Sequence, residues 1–311
     1  MMRQQRITEG VLLLTVFIWG VNTPLMKIGL GYLSPLLYNA LRLLLASIFA
    51  WVILFYSGTN KPIKGCDIPS ILAVGLLGFC CSQLLLMIGL PHTTAGNASI
   101  MNALLPLTVI LMNRIFKKEA ISFFVIVGML VSLVGITCVV LGSDKNISLD
   151  SNHVMGAALI LLSQFGVGYY TIFSRDLLER YSAHQIIAYV MTLSAIVFSM
   201  VAIPEVSLVS WGDVPIMAWI SIFFSGLFAL LLANVAWIWC VGKLGSTRAS
   251  LFQNLVPLFA IIGAWILLGE VLTWLQWLGM ILVFNGLYLA RTNGKEKFLV
   301  RLLEHLACAK S

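Results

Sequence analysis

The chain has 311 residues, of which 60% are hydrophobic and only 10% charged, whereas soluble domains hold roughly 45–50% and about 25%. That much apolar surface excludes a water-soluble fold and makes lipid the solvent. The net charge of +7 then reports cytoplasmic loops rich in Lys and Arg rather than a nucleic-acid surface, and six cysteines with no C-x-x-C spacing exclude a zinc or disulfide framework.

Breaks at Pro, Gly and charge clusters leave ten apolar segments of about the length a span needs, roughly 20 residues. They cover about 10–30, 35–56, 69–90, 95–116, 120–142, 154–174, 184–203, 215–240, 246–268 and 271–291. Arg3 and Arg6 precede the first, which runs on through Trp19, Asn22 and Pro24 without a small-x-small cleavage site, so it is expected to remain as an uncleaved helix. The second carries Arg42 about two turns inside its start. Gln83 of the third segment pairs with Asn234 of the eighth, and Asn234 shares a helical face with Trp237. The fourth places Ser99, Asn102 and Pro106 on one face; the ninth places Ser250, Gln253 and Pro257 on the equivalent one. In the first and sixth, setting Lys27 against Arg175 pairs Asn22 with Tyr170 and Trp19 with Val167. After the last span, Phe298, Leu299, Leu302, Leu303 and Leu306 form one face of an amphipathic helix expected on the cytoplasmic leaflet.

The second half repeats the first. An offset of 151 carries Pro106 to Pro257 and Glu119 to Glu270, and also matches Gly75 with Gly226, Ser99 with Ser250, Gly128 with Gly279 and Gly135 with Gly286. An odd number of spans per unit turns the second unit upside down, and the charges agree. With the N-terminus in the cytoplasm, 16 of the 19 basic residues fall on cytoplasmic segments; only Lys27 and Lys145 lie outside, and Arg42 lies within a span. Arg114, Lys117 and Lys118 become Trp265, Leu268 and Gly269 in the second copy. The fold class expected is an all-α integral membrane protein with ten transmembrane helices arranged as two inverted five-helix repeats. Residues 1–143 and 154–292 form the repeats and 293–311 a cytoplasmic tail, with both termini in the cytoplasm.

Such duplication puts a substrate site between the repeats. The polar and aromatic positions at mid-depth give the candidate substrate-binding set Trp19, Asn22, Arg42, Gln83, Asn102, Tyr170, Asn234, Trp237 and Gln253. A mostly uncharged pocket of amides and rings suits an amphipathic or zwitterionic solute, although small and amide residues equally allow close helix packing. Placing a guanidinium near mid-bilayer costs at least about 2.5–3.5 kcal/mol, so Arg42 has two readings. It is a clamp for a substrate carboxylate or an outward gate, or else it snorkels or binds helix-end carbonyls and locks the first two helices. Pro106 and Pro257 remove a ladder hydrogen bond and are candidate hinges. Glu119 and Glu270 lie about 20 Å farther along, on opposite membrane faces, as helix-end or gate residues. The 12 acidic residues and the four histidines all fall in loops or near span ends, which argues against a buried proton relay. No catalytic, metal or cofactor group is expected.

Several motifs carry a family resemblance: W-G-V-N-T-P-L-M-K at 19–27, A-L-R-L-L-L-A at 40–46 and A-S-I-M-N-A-L-L-P-L at 98–107. A-S-L-F-Q-N-L-V-P-L at 249–258, L-G-E at 268–270 and W-L-G-M-I-L-V-F-N-G at 277–286 follow in the second half. In order and duplication they resemble the ten-helix drug/metabolite transporter superfamily, and within it the EamA-type transporters, over about residues 10–291. K-K-E at 117–119 departs from the L-G-E of the second copy. The resemblance implies export or exchange of amino acids, other small metabolites or drugs. The expected activity is therefore secondary transport of a small amphipathic metabolite, in the efflux direction, across the cytoplasmic (inner) membrane by alternating access. The alternative is a flippase for a lipid-linked carrier; an intramembrane enzyme is disfavoured by the lack of a clustered His, Asp or Glu motif. The expected partners are the solute and the lipid bilayer, with a homodimer allowed.

Overall fold

The computed structural model describes residues 2–92, 101–116, 122–141, 151–260, 262 and 273–292. Ser99, Glu119, Glu270 and the tail 293–311 lie outside the described residues, as do the outer ends of the fourth and ninth expected spans. Among the described residues every regular element is helical. The first five are α1 (Met2–Leu30), α2 (Pro35–Ser57), α3 (Gly65–Gly89), α4 (Leu105–Phe116) and α5 (Phe123–Leu141). The second half supplies α6 (Ser151–Leu178), α7 (Ala183–Val206), α8 (Ile216–Leu244), α9 (Ser246–Leu251) and α10 (Trp274–Thr292). Among the described residues, six of these helices are long and apolar enough to cross a membrane, namely α1, α2, α3, α6, α7 and α8; α4, α5 and α10 are shorter apolar helices.

Local chemistry sets the boundaries. Ser34 caps α2, its hydroxyl accepting from the Leu37 N–H at 3.3 Å, Pro35 occupies the first turn, and Gly58 ends the helix at φ +62°. A side-chain oxygen in this position satisfies one of the four orphan N–H groups of a helix start, and glycine takes the left-handed turn without a Cβ clash. Ser182 caps α7 in the same manner through the Gln185 N–H at 3.2 Å. The α2–α3 loop is tied to the α6–α7 corner: Lys61 and Gln185 exchange two hydrogen bonds of 3.1 and 2.6 Å, and Tyr181 donates to the buried carboxylate of Asp67 at 2.7 Å while Arg180 ion-pairs with it.

The two halves meet through equivalent elements. α2 packs along α7 and α5 along α10, while α1 packs on α8 and, conversely, α6 on α3. At the α5–α10 crossing, Gly128 lies against Gly286 and Gly135 against Gly279, and Ser132 donates to the Val283 carbonyl, 151 residues away, at 3.4 Å. Positions related by the sequence offset thus exchange partners across this contact, the arrangement a twofold relation produces. α3 and α8 each contain a π-helical segment at matching places, Ala73–Cys80 and Ser225–Leu232. Each segment offers a glycine to the other half. A Cβ on Gly226 would stand 2.8 Å from the Arg42 carbonyl, and one on Gly75 would stand 2.8 Å from Leu193. Large apolar side chains such as Phe55, Phe123, Met200 and Ile216 point outward, while Arg42, Asn39, Gln164 and Asn234 are buried. Apolar groups outside and polar groups inside is the order a hydrocarbon solvent imposes.

Candidate functional site

A cavity of about 310 Å³ lies between the halves, at the small end of the roughly 300–1,000 Å³ usual for ligand pockets. Its wall takes residues from α1, α2, α3, the 101–105 segment, α6, α8 and the 253–260 segment that follows α9. All nine residues of the candidate set, Trp19, Asn22, Arg42, Gln83, Asn102, Tyr170, Asn234, Trp237 and Gln253, line this one space. Pro257 lines it as well; Pro106 is buried but stands outside the wall.

The fourth and ninth segments are interrupted at equivalent positions. Residues 101–104 form a turn closed by the Leu104 N–H on the Met101 carbonyl at 3.1 Å, and Phe252–Leu255 form a 3₁₀ turn, the same four positions plus 151. The cause is in the sequence: Pro106 and Pro257 lack an N–H, and each ring clashes with the carbonyl four residues back, on Asn102 and Gln253. Helices broken at mid-depth are tolerated only where the irregular backbone is buried in protein or lines a cavity. Here Asn102 and Gln253 both line it.

π-helical winding in α8 leaves carbonyls for side chains to use. Trp19 Nε1 donates to the Ala229 carbonyl at 2.9 Å, and the Asn234 amide donates to Ala229 and Leu230 at 3.2 and 2.8 Å. Tyr170 donates to Asn234 Oδ1 at 3.4 Å, and Trp237 Nε1 to Thr171 at 3.4 Å. The indoles of Trp19 and Trp237 approach with centroids 5.4 Å apart, and Phe79 stands edge-on to Tyr170 at 5.3 Å. These rings are held by hydrogen bonds and by each other, so one wall is a fixed aromatic surface.

Arg42 is 4% exposed, which removes the snorkelling reading. Its partners are side chains instead of helix-end carbonyls. Nε donates to Asn39 Oδ1 at 2.6 Å, Nη1 to Ser225 Oγ at 3.0 Å, and Nη2 to Gln83 Oε1 at 3.3 Å, with Met26 Sδ at 3.2 Å and the Tyr38 ring 5.7 Å away. Among the described residues no carboxylate lines the cavity, and none pairs with Arg42. A buried cation held only by neutral groups keeps its field for an anionic ligand.

Gln164 escaped the sequence reading. It is buried, lines the cavity, and donates to Asn102 Oδ1 at 2.9 Å, joining α6 to the broken segment before α4. The repeat could not reveal it, because the offset of 148 that aligns α1 with α6 sets it opposite Val16. Its signal was an amide at mid-depth in an apolar span.

A helical membrane protein of two like halves enclosing a polar and aromatic cavity has the make-up of a solute transporter. The sequence pattern of the EamA-like transporter family matches residues 7–141 and again 154–292, and the chain belongs to that family. It is 29% identical over 280 residues to an uncharacterized transporter of Archaeoglobus fulgidus, covering 90% of this chain and 96% of that one. It is 28% identical over 288 residues to a protein of Streptantibioticus cattleyicolor named as a probable terminal-alkyne amino-acid exporter, covering 92% and 94%. A solved structure titled only as the crystal structure of a protein superposes with a TM-score of 0.77 at 14% identity, over 91% of this chain and 98% of that one, which speaks for the fold alone.

Proposed function

We propose that this transporter exports a small carboxylate-bearing amphipathic solute, amino-acid-like in size, from the cytoplasm. The observation that carries this is Arg42, a buried cation on the cavity wall with only neutral partners among the described residues. Its guanidinium would take the carboxylate, the Trp19–Trp237 wall the apolar part, and the amides of Asn22, Asn102, Gln164 and Gln253 the remaining polar groups. Ten spans in two inverted repeats, with both termini cytoplasmic, would let one half rock on the other about the breaks at Pro106 and Pro257. The name of the S. cattleyicolor relative supports the export direction and the substrate class. A cavity of about 310 Å³ ringed by helices from both halves favours a compact solute over a lipid-linked carrier.

The test is uptake of a panel of amino acids, their amides and neutral metabolites into proteoliposomes. Replacing Arg42 with Gln should raise KM for carboxylates roughly 10- to 100-fold, the worth of about 1.5–3 kcal/mol for a charged hydrogen bond, and leave amides nearly unaffected. Arg42→Lys, which keeps the charge and loses the fork, should fall between the two. Equal losses for acids and amides, in variants whose melting temperature is unchanged, would overturn the clamp.

A further inference from the structure

A second cavity, of about 670 Å³, opens beside α8 on the side away from the first. Leu230, Asn234 and Trp237 of α8 line the central cavity, whereas Leu232, Val235, Ala236 and Trp239 line this one. In the α-helical part of α8 (Ala233–Leu244), 100° per residue puts Asn234 and Trp237 on the face opposite Val235, Ala236 and Trp239. Leu232 and Trp239 are exposed at 40% and 36%, so this wall faces the membrane and not the transport path.

Its other end is cationic. Arg175 in the last turn of α6, His184 in the first turn of α7 and Lys243 in the last turn of α8 line the rim, against one carboxylate, Glu179. The nearby acid Asp67 is already held by Arg180 and Tyr181. Lys243 is exposed and has no hydrogen bond or ion pair among the described residues. Under the orientation set by the basic residues this rim lies at the cytoplasmic surface. Trp239 sits one turn from Lys243 on the same face, where an indole meets the headgroup level.

An apolar, membrane-facing wall below a basic rim matches one kind of ligand, and we propose that this cavity binds an anionic phospholipid of the cytoplasmic leaflet. The phosphate would rest against Lys243 and Arg175, and an acyl chain would run along Leu232, Val235 and Trp239. This site is independent of what the central cavity carries.

The test uses the full chain purified in a non-ionic detergent, with thermal unfolding followed after adding phosphatidylglycerol, phosphatidylcholine or glycerol 3-phosphate. Phosphatidylglycerol should raise the midpoint by about 3 °C at saturating excess. Phosphatidylcholine and glycerol 3-phosphate should not. Lys243→Glu, at an exposed position, should keep the detergent-only midpoint and lose the increment, and native mass spectrometry should show the matching loss of bound phosphatidylglycerol. An equal response to phosphatidylcholine would reduce the cavity to general lipid contact. The full response from glycerol 3-phosphate alone would assign it to a soluble phosphate, and an undiminished response in Lys243→Glu would remove the basic rim from the site; each result overturns the proposal.

Discussion

At the scale of single residues, two kinds of position bear the constraint of this fold: glycines where backbones touch, and polar groups around the cavity. A Cβ on Gly286 would meet the Gly128 carbonyl and, at 2.8 Å, the Ser132 N–H, both backbone and neither able to swing away. Gly10 in α1 has nothing within 4 Å of the same position. Gly286→Ala should therefore cost about 1–3 kcal/mol by overpacking, while Gly10→Ala should be neutral or slightly stabilising through helix propensity. Thermal unfolding of the two variants in one detergent checks this, and comparable midpoints would mean that the α5–α10 crossing yields easily. The polar cavity residues were legible in the sequence because intramembrane amides and charges stand out against an apolar background, and the repeat paired most of them. Gln164 was not, having no counterpart, and neither was Ser225. Gln83 already stood in the candidate set and Asn39 lies three residues before Arg42, but only the fold brings these two and Ser225 of α8 together on the guanidinium.

At the scale of elements, the breaks before α4 and after α9 follow directly from two prolines, whereas the polar contact between α4 and α9 does not. Asn113 of α4 and Ser246 and Thr247 of α9 are buried, and Asn113 donates one amide hydrogen to Ser246 at 2.9 Å and one to Thr247 at 2.8 Å. The sequence positions equivalent to these three are Ala264, Ala95 and Gly96, which have no side-chain hydrogen-bonding group. A polar latch thus exists at one end without a sequence counterpart at the other, and on the proposed orientation and alternating-access mechanism it holds the inward gate shut. Two hydrogen bonds at about 0.5–1.5 kcal/mol each imply that Asn113→Ala should raise the inward-open population roughly tenfold. Labelling of Gln253→Cys by an impermeant thiol reagent in inside-out vesicles, read by mass spectrometry at that position, should accelerate accordingly. An unchanged rate would leave Asn113 as packing alone. Helix type and the duplicated order were readable from hydropathy and the offset of 151, but the π-helical segments were not. An extra residue per turn is decided by what the freed carbonyls find in three dimensions, here Trp19 and Asn234.

At the scale of the whole molecule, the charge of the transport path decides how flux responds to ion gradients. Among the described residues, Arg42 and Tyr170 are the ionisable side chains on the cavity wall, and groups of these kinds ordinarily change charge only well above about pH 8. The charge of that described wall is then constant between about pH 6 and pH 8, and no described lining group is placed to pick up or release a proton during the cycle. On the proposed alternating-access mechanism, two halves exchanging openings about a site of fixed charge would make a carrier whose energetics are those of its solute. Counterflow of a zwitterionic amino acid in proteoliposomes should accordingly vary by no more than about twofold between pH 6 and pH 8, a range in which the solute keeps its own charge. An imposed pH gradient should produce no accumulation above equilibrium, and a membrane potential should leave the zwitterion's flux unchanged unless Arg42 moves through the field with it. A monoanion should respond to potential in proportion to its single charge, worth about 2.3 kcal/mol per 100 mV. Accumulation of the zwitterion driven by the pH gradient would instead require a proton-binding group away from the cavity wall. Glu119→Gln and Glu270→Gln would then be the variants to compare, because the sequence pattern alone assigns these two carboxylates to span ends on opposite sides of the membrane.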